Sequence, residues 1–117
     1  MRISLKRNVK AEDVMRMSMD NASELNKADR KFFNRFENVL YDIEQSRKSV
    51  HEFSQRAAEV AEYDASRRPS LLGELQKARE LDMELGKHYA QLEVLMDLAP
   101  FIVSEVHLRW FFEVEED

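Results

Sequence analysis

Three histidines, His51, His88 and His107, are the residues of this chain best suited to acid–base or metal chemistry. None stands in a His-Glu-x-x-His pattern, which would put two imidazoles and a carboxylate on one helix face. None follows a Glu by three residues, the spacing that di-metal carboxylate bundles use. Without such a His, the acidic pairs Glu80 with Glu84 and Asp20 with Glu24 read as solvated helix faces. No Ser shares a local pattern with a His and an acid of the kind that marks a nucleophilic triad. Met15, Met17 and Met19 alternate, and thioethers suit Cu(I). No Cys or His adjoins them, so adaptable packing is the simpler use. The chain has no Cys, which excludes disulfides, thiolate zinc sites and a Cys nucleophile. Its two glycines, Gly73 and Gly86, are isolated and form no phosphate loop. The expectation is a protein that is not an enzyme, with no catalytic residue, no metal and no cofactor.

Arg30 to Phe36 interleaves bases with Phe32, Phe33 and Phe36, as single-strand nucleic-acid binders do. On a helix, however, those rings fall on the apolar face and the stems of the charged residues cover its edges. A second basic set is Arg2, Lys6, Arg7 and Lys10 at the start of the chain, with Arg67 and Arg68 in the middle. These six residues are the possible contacts to phosphate. The net charge of −5 makes nucleic acid the secondary expectation for a partner.

The elements that position these residues follow from composition and periodicity. At 117 residues, 44% hydrophobic and 35% charged, the chain reads as one foldable domain. Two Gly and two Pro are too few for the turns of an all-β fold, so long helices are expected. Leu25, Ala28, Phe32, Phe36, Val39, Ile43, Ser46, Val50, Phe53, Ala57 and Val60 alternate in steps of three and four, a coiled-coil seam with one stutter at Phe32 to Phe36. A capping box at Asn21 and Glu24 starts a first helix over about 21–64, on the order of 65 Å long, although a start near Ala11 is also open. Phe33 and Leu40 widen the apolar face between 25 and 43, which implies burial on two sides there.

A turn is expected at 65–69, with Pro69 suited to the first turn of the next helix. This second helix covers about 70–99 through Leu71, Leu75, Ala78, Leu81 or Asp82, Leu85, Tyr89, Leu92, Leu95 or Met96, and Ala99, and Pro100 stops or kinks it. So short a connection makes the helices antiparallel neighbours. The fold class is therefore mainly α, a long coiled-coil-like antiparallel hairpin with short terminal strands at its base. No family motif is matched; the turn lacks the Trp-x-Gly of the small secreted hairpin family.

The two ends carry the strand patterns. Ile3 and Leu5 alternate with Arg2, Ser4 and Lys6. Val106, Leu108, Trp110, Phe112 and Val114 alternate with Glu105, His107, Arg109, Phe111 and Glu113, so a strand-like tail over 101–115 is favoured above a helical one. A lone strand must pair. Ile3 to Leu5 of the same chain or a strand of another chain would serve, and a basic head with an acidic tail favours both.

Two helices alone leave each apolar stripe open on one side. A homodimer closing a four-helix arrangement is the economical cover, with a monomer whose tail folds back over Phe33 and Leu40 as the alternative. The residues expected at a partner or dimer interface are Phe32, Phe33, Phe36, Leu40, Val106, Leu108, Trp110 and Phe112. The functional expectation is an adaptor, assembly factor, chaperone or inhibitor that contacts another protein, including its own copy. The first twenty residues lack a signal-peptide run, and no segment approaches the ~20 apolar residues of a membrane span. A cytoplasmic protein without membrane contact is expected.

Overall fold

The computed structural model describes residues 2–63 and 68–115, with only the backbone at 60–63, 68–72 and 74. The architecture is mainly α, a helical hairpin with a two-stranded antiparallel sheet. In chain order come β1 (Arg2–Leu5), α1 (Ala11–Asp20), a 3-10 turn (Ala22–Glu24), α2 (Lys27–Tyr63), α3 (Arg68–Ile102), α4 (Glu105–Leu108) and β2 (Phe112–Glu115). The chain has two compact units, Met1–Tyr41 with Ala90–Asp117, and Asp42–Tyr89.

The long first helix starts at Lys27 and not at Asn21. Asn26 and Asp29 form the capping box: Asp29 N–H donates to Asn26 Oδ1 at 2.8 Å, and Asn26 N–H donates to Asp29 Oδ2 at 3.3 Å. These two bonds satisfy donors that the first turn leaves without helical partners. Asn21 instead closes α1, with its side-chain amide donating to the Met17 carbonyl at 2.9 Å. The second helix runs two residues past Pro100 to Ile102. Pro100 removes one donor in the last turn, and Val103 N–H still reaches the Ala99 carbonyl at 2.9 Å. The turn expected at 65–69 falls largely outside the described residues.

In the first unit, Phe33, Phe36, Phe112, Leu108 and Val14 are fully buried. Phe36 packs on Phe112 at 5.1 Å and on Phe111 at 6.0 Å between ring centroids, and Phe33 meets Phe111 edge-on at 5.5 Å. Phe33 also stacks on Trp110 at 5.9 Å. Such pairs add about 0.5–1.5 kcal/mol each beyond the area they bury. The tail is strand only at its end. Val103, Leu108, Phe111 and Phe112 are its buried residues, a spacing that alternation cannot produce. Residues 105–108 make a helical turn, tied by Arg109 to Glu105 at 2.8 Å, and the chain then enters β2. β2 pairs with β1 of the same chain, Ile3 opposite Val114, Leu5 opposite Phe112 and Arg2 opposite Glu115. After β1 the chain turns through Asn8 at φ 63°, a left-handed conformation that Asn tolerates.

In the second unit, Ile43 is buried and Val50, Phe53 and Ala57 are half-buried on α2. Ala78, Leu81, Leu85 and His88 are half-buried on α3, whereas Leu75 and Tyr89, both expected in the seam, are exposed. The stripe 78, 81, 85, 88 steps by three and four residues, and including His88 keeps it in phase with Leu92. The Phe53 ring carries Lys77 Nζ at 5.1 Å from its centroid.

Phe36→Ala and Phe112→Ala are each expected to lower the unfolding free energy by about 3–5 kcal/mol in urea titrations. Val106→Ala, at an exposed position, is expected to change it by less than about 0.5 kcal/mol.

Candidate interaction surface

The residues expected at an interface are mostly occupied by the chain itself. Phe32, Phe33, Phe36, Leu40, Leu108 and Phe112 are buried, Trp110 is half-buried, and Val106 alone is fully open. The same-chain tail supplies the cover that a second copy was expected to supply. Of the eight, only Val106 and the rim of Trp110 are open to solvent in the folded chain.

The basic head also has local partners. Arg2, Lys6, Arg7 and Lys10 are exposed around β1 and its turn. Arg2 sits opposite Glu115 in the sheet, Ser4 opposite Glu113, and Lys6 Nζ donates to the Arg109 carbonyl. Arg67 and the side chain of Arg68 lie outside the described residues. Met15 and Met19 share the outer side of α1, while Met17 is half-buried beside Trp110 and Phe111. Residues two apart on a helix differ by about 200° in direction, so the three thioethers do not converge. Among the described residues no group of three or more His, Cys, Asp and Glu could hold a metal ion, and no helix is long and apolar enough to cross a membrane.

One polar cluster had no sequence signature. Asp29 is buried among apolar neighbours, and its Oδ2 lies 3.5 Å from His107 Nδ1. Ser104 Oγ lies 3.1 Å from the same nitrogen, and the imidazole packs on Trp110 at 4.7 Å. A nucleophilic triad sets the acid on one ring nitrogen and the hydroxyl on the other. Here both oxygens meet Nδ1, so the three groups do not form that relay. The cluster is a latch: the carboxylate that caps α2 also holds α4, which carries Leu108 and Trp110 to the aromatic core.

A run of exposed apolar residues lies on α3. Val94, Leu98 and Phe101 repeat at four and three residues, on the side away from the buried Leu92, Ala99 and Val103. Phe101 is 87% exposed, Val94 57% and Leu98 46%, and Ile102 adjoins them. Val94 and Leu98 also line a groove of about 590 Å³ between α3 and α2, together with Leu95 and with Arg35, Asn38 and Val39 of α2. The end of α3 thus has two apolar faces and buries one. The spacing of 94, 98 and 101 was visible in the sequence, but a search for one seam per helix passes over a second. No family model matches the chain, and neither a curated protein nor a solved structure matches it.

Asn26→Ala is expected to cost about 0.5–2 kcal/mol of stability through the lost cap. Asp29→Ala is expected to cost more, because it removes the acceptor of the Asn26 N–H and the His107 contact together; urea titrations followed by Trp110 fluorescence measure both.

Proposed function

We propose that this chain is a non-enzymatic interaction protein, an adaptor or assembly factor that receives a helix of another protein chain along α3. The observation that carries the reading is the contiguous stripe Val94, Leu98, Phe101 and Ile102 beside an apolar groove. Contiguous apolar surface of this kind marks a contact site more often than scattered exposed residues do. Grooves between two helices accept the apolar face of a third, read out by anchors at helical spacing. The acidic strand β2 beside the basic head weakens the attraction of that end for phosphate, which supports a protein partner over nucleic acid.

Photo-crosslinking residues placed at positions 98 and 101 in the cell that makes the protein test this. Crosslinks to a protein are expected at both, with none at exposed position 48, and Leu98→Asp is expected to abolish capture at 101 without shifting the unfolding midpoint. Crosslinking no stronger at 98 and 101 than at 48, or salt-steep oligonucleotide binding lost in Arg7→Ala with Lys10→Ala, would overturn it.

A further inference from the structure

We infer that the occupant of the α3 surface is a second copy of this chain, with the two α3 helices side by side and parallel; this deepens the interaction reading above and rests on it. The stripe has unlike borders. On the α2 side stand Arg35 and, one turn earlier on the same side of that helix, Lys31. On the other side of α3 stand Glu93 and Asp97, one turn apart and exposed, in a hollow they share with Arg2 of β1, which forms no ion pair with either. Among the described residues none of these four has an ion-pair partner within the chain.

Two copies of one surface meet about a two-fold axis lying in the interface. If the axis runs along α3, the helices are parallel and the basic border of each copy lies over the acidic border of the other. If the axis runs across α3, the helices are antiparallel and Glu93 and Asp97 face their own copies. Opposite charges flanking an apolar seam select orientation in paired helices, and like charges reject the alternative. Arg35 borders the groove level with Leu98, so in the parallel arrangement it comes over Asp97 of the other copy. The same arrangement seats the exposed stripe of each copy against the groove of the other, which gives Phe101 and Leu98 apolar cover.

Sedimentation equilibrium on the full chain tests the inference. The wild type is expected to be a dimer that weakens as salt rises, since screening removes the border attraction. Leu98→Asp is expected to give a monomer whose unfolding midpoint matches that of the wild type diluted until it is itself monomeric. Arg35→Glu and Asp97→Arg are each expected to weaken the dimer several-fold, and the two together to restore it. A monomer at every concentration, a dimer that survives Leu98→Asp, or a double variant no tighter than the singles would overturn it. Association strengthened by salt or by Asp97→Arg alone would show the antiparallel arrangement and overturn it as well. A monomer that still crosslinks to a different protein at position 98 would remove this inference and leave the proposed function standing.

Discussion

The packing of Phe33 and Phe36 is the constraint on which the rest of the first unit depends. Two neighbouring rings on one turn give α2 an apolar face too broad for one helix to cover. Leaving such rings in water costs about 1.5–3 kcal/mol apiece relative to burial. The chain meets this with its own last residues: Trp110, Phe111 and Phe112 all pack on Phe33 or Phe36. Placing three consecutive residues against one core requires them to leave the straight alternation of a strand. That is why residues 105–108 coil into a turn before β2 begins. The turn is itself anchored by Asp29, so the cap of α2 and the closing of the core share a carboxylate.

Closing the core also settles where the terminal charges go. Phe112 brings β2 alongside β1, and the register puts Arg2 opposite Glu115. The basic head and the acidic tail face each other within one chain, an exposed arrangement that contributes little to stability but neutralises both ends. The surface left apolar is then the outer side of α3. Among the described residues nothing buries Phe101, although the tail begins right after it.

The parts of this fold legible in sequence are those governed by one period. The three-and-four spacing of α2 marks the long helix, and the alternation of Ile3 and Leu5 marks β1, with the partner strand left open between this chain's tail and another chain. Where two periods or two faces compete, the reading slipped. The residues from Val106 to Val114 fit alternation by type, yet Phe111, placed on the outward side, is buried. Tyr89 resembles a seam residue more than His88 does, but the phase set by Leu85 and Leu92 admits His88. Asn21 and Asn26 both offer caps, and Asn26 prevails because its Asp29 is also held by His107, a tertiary contact with no local trace. The aromatic residues were correctly seen as excess apolar surface, but sequence alone does not distinguish cover by the same chain from cover by a copy. Val94, Leu98 and Phe101 share the period of the buried stripe of α3, so periodicity alone does not mark them as a second face.

The central claim is that the tail covers the core of its own chain. Isotope-filtered nuclear Overhauser measurements on an equimolar mixture of labelled and unlabelled chains test it most directly. The account predicts Phe36-to-Phe112 ring contacts within labelled chains and none between labelled and unlabelled ones. Contacts between the ring of Phe36 in one chain and that of Phe112 in another would mean exchanged tails and would contradict it.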